Sequence, residues 1–198
     1  MGKGEDTRNL ILAAAVEQAS LGGFESLTIG SLAERTGLSK SGLFAHFGSR
    51  EELQIAAIEA TAARFTETVF APALKAPRGL PRMRALFDAW LEWTTRGGLG
   101  HGCPMLAGAI EFDDKPGPLR DAIAWHYDRL GRELARAVEL AVGQGHLRAD
   151  LDVAQFVFEL MGIIFAYHHD ARLMRNEQAP ARARAAFERL IAAATPAA

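Results

Sequence analysis

Apolar residues recur at three- and four-residue spacing in every long stretch between glycine or proline breaks, and no segment alternates apolar and polar residues between hairpin turns. A chain patterned this way buries stripes along helices, so the expected fold class is all-α, with about nine helices. The first is expected from about Asp6 to Leu21, with Leu10, Ile11, Ala14, Ala15 and Ala19 facing inward and Gly22-Gly23 ending it. Phe24 and Leu27 then return the chain to the core. Thr28 caps a short second helix, Ile29 to Arg35, and after the turn Thr36-Gly37-Leu38 the hydroxyl of Ser39 caps a third. "SREE" from Ser49 reads as a capping box that opens a fourth helix, running past Phe65 to about Pro72.

Beyond "APALKAPRGLP" a second region begins. Met83, Leu86, Phe87, Trp90, Leu91 and Thr94 share one face of a helix that Gly97-Gly98 would end. Pro104 opens a shorter helix to Phe112, and a longer one from Leu119 to Val142 turns Ile123, Leu130, Leu134, Val138 and Ala141 inward. Asp152 caps the next, striped by Val153, Phe156, Val157, Leu160, Met161 and Ile164, with Phe158, Ile163 and Phe165 on its other side. A helix apolar nearly all round is buried on two sides, one of them expected to be a subunit interface. The last, Ala179 to Ala193, turns Ala183, Phe187, Leu190 and Ile191 inward and can pair with its neighbour in a four-helix dimer seam. Its Arg182, Arg184, Glu188 and Arg189 read as a solvated face.

Composition narrows the function classes. With 198 residues, 49% of them hydrophobic, the chain can bury a real core. A formal charge of −2 makes it no polycation, so any contact with nucleic acid must come from a local patch. Cys103 is the one cysteine, which excludes an intrachain disulfide and a four-cysteine zinc site and fits a reducing cytoplasm. No apolar run approaches the roughly 20 residues of a membrane helix, and Leu10 to Val16 makes a poor signal peptide. A soluble, cytoplasmic protein is expected.

The patch lies between Thr28 and Arg50. Two short helices joined by a glycine-bearing turn have the geometry of a helix-turn-helix, whose second helix enters the DNA major groove. Gly37 tolerates positive φ in the turn, and Leu38 can fill the gap between the helices. Ser39, Lys40, Ser41 and Gly42 place small or basic residues at the start of the second helix, where amides and side chains meet phosphates and base edges. From Arg35 to Arg50 the side chains of Arg35, Lys40 and Arg50 give a formal +3, with His46 beside them. Lys3 and Arg8 could add phosphate contacts from the N-terminal arm.

"SLTIGSLAERTGLSKSGLFAHFGSREEL" closely resembles the DNA-binding segment of the TetR family of bacterial transcriptional regulators, a resemblance that covers roughly Thr7 to Ala60. It implies that Thr28, Ser39, Lys40, Ser41, Gly42, Phe44, His46 and Arg50 face DNA, with Leu43 at a core position that could also reach the groove. The family's usual tyrosine is replaced by Phe44 and its usual lysine by Arg50. The resemblance further implies an N-terminal DNA-binding domain over residues 1–50, a connection through helix four at about 49–71, and an effector-binding and dimerisation domain over 72–198. The implied partners are a palindromic operator in double-stranded DNA, a small apolar or amphipathic effector and a second copy of the chain through the last two helices; repression is the default mode, with an activator or a ligand-independent regulator of the same fold as alternatives.

Phe87, Trp90, Trp93, Met105, Leu106, Trp125 and Phe165 are the candidate effector contacts, because large aromatic side chains and methionines on converging helices can line an apolar pocket; each could equally be plain core. An alternative is an enzyme using Cys103 and His101, within "GGLGHGCPML", as nucleophile and base. Residues two apart in a loop orient poorly for that. His126, His168, His169 and Asp170 are possible metal ligands, but adjacent histidines on a helix point to different sides, and neither a metal nor a cofactor is expected.

Overall fold

A computed structural model describes residues 3–96 and 101–196. Among these residues every regular element is helical. They are α1 (Lys3–Gly22), α2 (Ile29–Thr36), α3 (Lys40–Phe47), α4 (Arg50–Phe65), α5 (Leu80–Arg96), α6 (Pro104–Glu111), α7 (Pro118–Gly143), α8 (Val153–His168) and α9 (Ala179–Ala194). A single 3-10 turn, Phe24–Ser26, precedes α2. A π-helical turn, Thr66–Phe70, carries α4 into one further α turn, Ala71–Ala73, and a second, His169–Leu173, follows α8. The expected Gly97-Gly98 stop lies outside the described residues. No helix among the described residues is long and apolar enough to cross a membrane.

The chain forms two compact units that interleave along the sequence: Met1–Phe65 with Gly98–His126, and Thr66–Gly97 with Tyr127–Ala198. In the first, Ile11, Ala15, Val16 and Ala19 of α1 are buried with Phe24, Leu27, Leu32, Leu43, Phe47, Leu53 and Ile58. The α1 stripe is therefore displaced from expectation, because Leu10 is 55% exposed and Val16 takes an inward place. The 11–15–19 row sets the buried face, and position 10 lies off its edge. The end of α2 is a glycine stop, its C-cap Gly37 holding φ 69 in the left-handed region.

In the second unit, α5 lies against α9 through Phe87 and Phe187, whose rings stack at 4.1 Å. Two ion pairs flank the stack, Arg84 with Glu188 at 2.8 Å and Arg184 with Asp88 at 2.9 Å. Part of the expected solvated face of α9 is thus a polar seam with α5. The Tyr167 hydroxyl of α8 donates to the Leu91 carbonyl at 3.1 Å, so a buried phenol is satisfied across elements. Phe156, Leu160 and Ile164 of α8 are buried as the stripe requires, whereas Phe158 and Phe165 stand 73% and 42% exposed. Asp152 caps α8 by accepting from Gln155 N at 3.0 Å.

Candidate nucleic-acid interface

The head formed by α2, its turn and α3 is fixed by bonds that the local sequence supplies. Thr28 is extended before α2; its Oγ1 accepts from Ser31 N at 3.0 Å, while its own amide donates to Ser31 Oγ at 3.3 Å, closing a capping box. Ser39 Oγ accepts from Gly42 N at 3.1 Å and so starts α3. A Cβ on Gly42 would stand 3.1 Å from that same oxygen, so the glycine serves the cap as well as the approach to a ligand. Ser49 Oγ likewise accepts from Glu52 N at 3.1 Å. The reciprocal arm of the expected box is replaced, because Ser49 N donates to Phe47 O.

From this frame α3 shows two faces. Ser39, Lys40, Ser41 and Phe44 are exposed and Gly42 and His46 half-exposed, while Leu43 and Phe47 point into the core. Leu43 is 0% exposed, which corrects its candidacy as a groove contact: a side chain with no accessible atom has nothing to offer a base edge. Thr28 and Arg50 lie exposed at the two ends of the head.

The free charge of the patch is smaller than its formal count. Arg35 is paired with Glu17 of α1 at 2.7 Å. Arg50 donates through Nε to Leu27 O at 2.9 Å and through Nη2 to Glu25 O at 2.5 Å, so its guanidinium is held against the turn before α2. No acidic partner for Lys40 occurs among the described residues, and its ammonium is the cation free to meet a phosphate. Arg8 sits over the Phe47 ring at 5.1 Å, a cation–π contact near the end of α3. The Lys3 side chain falls outside the described residues.

The turn at residues 23–27 is held from outside the head. Both oxygens of Glu111, at the end of α6, accept backbone amides, from Phe24 and from Glu25, each at 2.9 Å. Gln54 of α4 donates to Phe24 O at 2.8 Å, and Gln18 of α1 donates to Ser26 O at 2.8 Å. Lys115 pairs with Glu25 at 2.9 Å. Sequence reasoning missed Glu111, Gln54 and Gln18. A side chain that bonds a backbone amide or carbonyl many residues away leaves no pattern in either segment.

The seven effector candidates divide between the units. Phe87 and Trp90, with Met83, Leu86, Leu134, Ala137 and Leu160, line an apolar cavity of about 10 Å³ in the second unit, room for about one water. Trp93 is buried nearby in sequence, and Phe165 meets Tyr127 edge-on at 6.3 Å while remaining 42% exposed. Met105, Leu106 and Trp125 belong to the first unit, with Trp125 50% exposed, so no cavity within one unit gathers all seven. Cys103 is the N-cap residue of α6 without a side-chain cap bond. No group of three potential metal-ligating side chains occurs among the described residues. His126 Nε2 lies 3.1 Å from Glu59 Oε1, at ion-pair distance but outside hydrogen-bond geometry. Burial, followed by the charges of Arg172 and His169, lowers the His168 pKa below the ordinary imidazole value.

Two family models match the chain: residues 11–57 match "Bacterial regulatory proteins, tetR family", and residues 79–187 match "Tetracyclin repressor-like, C-terminal domain". Among solved structures, a TetR-family transcriptional regulator from Cytophaga hutchinsonii superposes with a TM-score of 0.85 at 20% identity, covering 100% of this chain and 99% of that one. A TetR transcriptional regulator from Chloroflexus aurantiacus J-10-FL gives 0.80 at 25% identity, covering 97% and 96%. A TetR-family regulator from Agrobacterium tumefaciens gives 0.82 at 16% identity, covering 98% and 100%. No curated protein gives a significant match.

Proposed function

The chain belongs to the TetR family of bacterial transcriptional regulators, and from that premise we propose that it is a cytoplasmic, homodimeric repressor that leaves its operator when a small apolar or amphipathic effector binds. The observation that carries the DNA-binding part is the exposed row on α3. Ser39, Lys40, Ser41 and Gly42 lie in its first turn and meet phosphates and base edges, Phe44 packs against a sugar or a thymine methyl, and His46, Thr28 and Arg50 flank the groove.

Exposed Phe158 and Phe165 on α8 support pairing with a second copy. A two-fold dimer reads two half-sites roughly 34 to 36 Å apart, so its operator is a palindrome. The effector enlarges the cavity beside Phe87 and Trp90. A ligand that prefers the enlarged state shifts the dimer toward it and lowers DNA affinity by its differential affinity for the two states. No catalytic step or cofactor enters this scheme. Selection of duplexes by the purified protein from a random-sequence pool should enrich inverted repeats. Enrichment of single, asymmetric sites, or of none, would refute the dimeric operator reading.

A further inference from the structure

We infer that Glu111 is a positioning residue for DNA reading: from α6, outside the matched DNA-binding segment, it fixes the turn on which α2 is hung. The inference rests on the DNA-binding reading above. Phe24 is 0% exposed, and its carbonyl is taken by Gln54, so the Glu111 carboxylate completes the backbone bonding of a buried residue. The neighbouring amide, of Glu25, takes the second oxygen. Four residues after Phe24 comes Thr28, the cap of α2, and on the other side Arg50 ties the start of α4 to Glu25 O and Leu27 O. The turn is therefore a node between α1, α2, α4 and α6, and the direction in which α2 leaves it sets where α3 points.

The fit is close on both surfaces. Gly23 holds φ 75 and ψ 174, a conformation essentially reserved for glycine, and a Cβ there would stand 2.8 Å from the Glu111 oxygens. On α6 itself, a Cβ at Gly108 would stand 2.9 Å from the Phe24 ring. Two missing side chains thus let α6 meet the turn at contact distance. A role in stabilising α6 is a weaker explanation, because a carboxylate in the last turn of a helix opposes the macrodipole. Since both acceptors belong to one carboxylate, the two bonds are made and lost together, and α6 either holds the turn or releases it.

The test uses the full chain with Glu111→Ala and Glu111→Gln. Glutamine keeps the shape but offers one acceptor where two amides need one each. Without DNA, hydrogen exchange at the Phe24 and Glu25 amides should speed up by about tenfold or more in Glu111→Ala, less in Glu111→Gln, with protection in α4 retained. With a labelled duplex selected by the wild-type protein, Glu111→Ala should bind about tenfold more weakly, as expected when the reading conformation falls to roughly a tenth of the population. The salt slope should be unchanged, because no phosphate contact is removed. Wild-type affinity in Glu111→Ala overturns the inference, as does unchanged exchange at the two amides. Loss of protection spread over α4 in both variants overturns it too, since Glu111 would then be a general stabiliser. If the wild type selects no duplex, it is the DNA-binding reading that falls, and the positioning role with it.

Discussion

Phe44 presents a bare ring, 49% exposed, on the row of α3 that holds Lys40 and Ser41. The family's usual residue there carries a hydroxyl able to donate to a phosphate. Phe44→Tyr should therefore tighten DNA binding by about 1 kcal/mol, roughly fivefold, in a fluorescence titration, with little change in unfolding midpoint. Equal or weaker binding would place Phe44 away from the backbone of the DNA. Residue roles were legible where two positions a few apart decide them, as in the caps at Thr28, Ser39 and Asp152. Leu43 was ambiguous because a helix position seen without its neighbours has no assigned side; packing against the core resolves it. Arg50 and Glu111 bind backbone groups across 23 to 87 residues of chain, and a backbone amide or carbonyl is the same at every position, so neither pairing has a signature.

At the scale of elements, the α5–α9 seam combines an aromatic stack with a two-point guanidinium–carboxylate pair. Arg84 donates Nε and Nη2 to the two oxygens of Glu188, both at 2.8 Å. That bonding holds the Glu188 pKa below the ordinary carboxylate value, with slight burial opposing it. A lowered folded pKa means a contribution fully present above the ordinary glutamate range and lost as pH falls through the depressed value. Wild type should thus exceed Glu188→Gln in thermal midpoint near about pH 7, and the gap should narrow as pH falls below the ordinary glutamate range. The gap should be small, because both side chains are half-exposed and the pair is screened by solvent. A gap that widens toward acid would contradict the pairing. The stripes of α5 and α8 were readable because burial on one side imposes a 3.6-residue period. The π-helical turns at Thr66–Phe70 and His169–Leu173 were not, since one extra residue per turn alters no composition and barely alters the pattern.

At the scale of the whole molecule, an apolar helix face outside any single chain's core separates a dimeric regulator from a monomeric DNA-binding protein. Phe158, 73% exposed, can be replaced by glutamate at small cost to the isolated chain. Phe158→Glu should shift sedimentation from dimer to monomer and remove tight binding to a two-half-site duplex; a stable dimeric variant would move the interface elsewhere. All-helical architecture and the reading head follow from periodicity and one motif, but the interleaving of the two compact units does not, because the packing of residues 101–126 with the N-terminal helices depends on contacts distant in sequence. The central claim, that the α3 row reads DNA, is tested most directly by the salt dependence of binding in wild type and Lys40→Ala. Loss of one phosphate contact should weaken binding to all duplex sequences alike and flatten the slope of log affinity against log salt by about one. An unchanged affinity and slope in Lys40→Ala would contradict the claim.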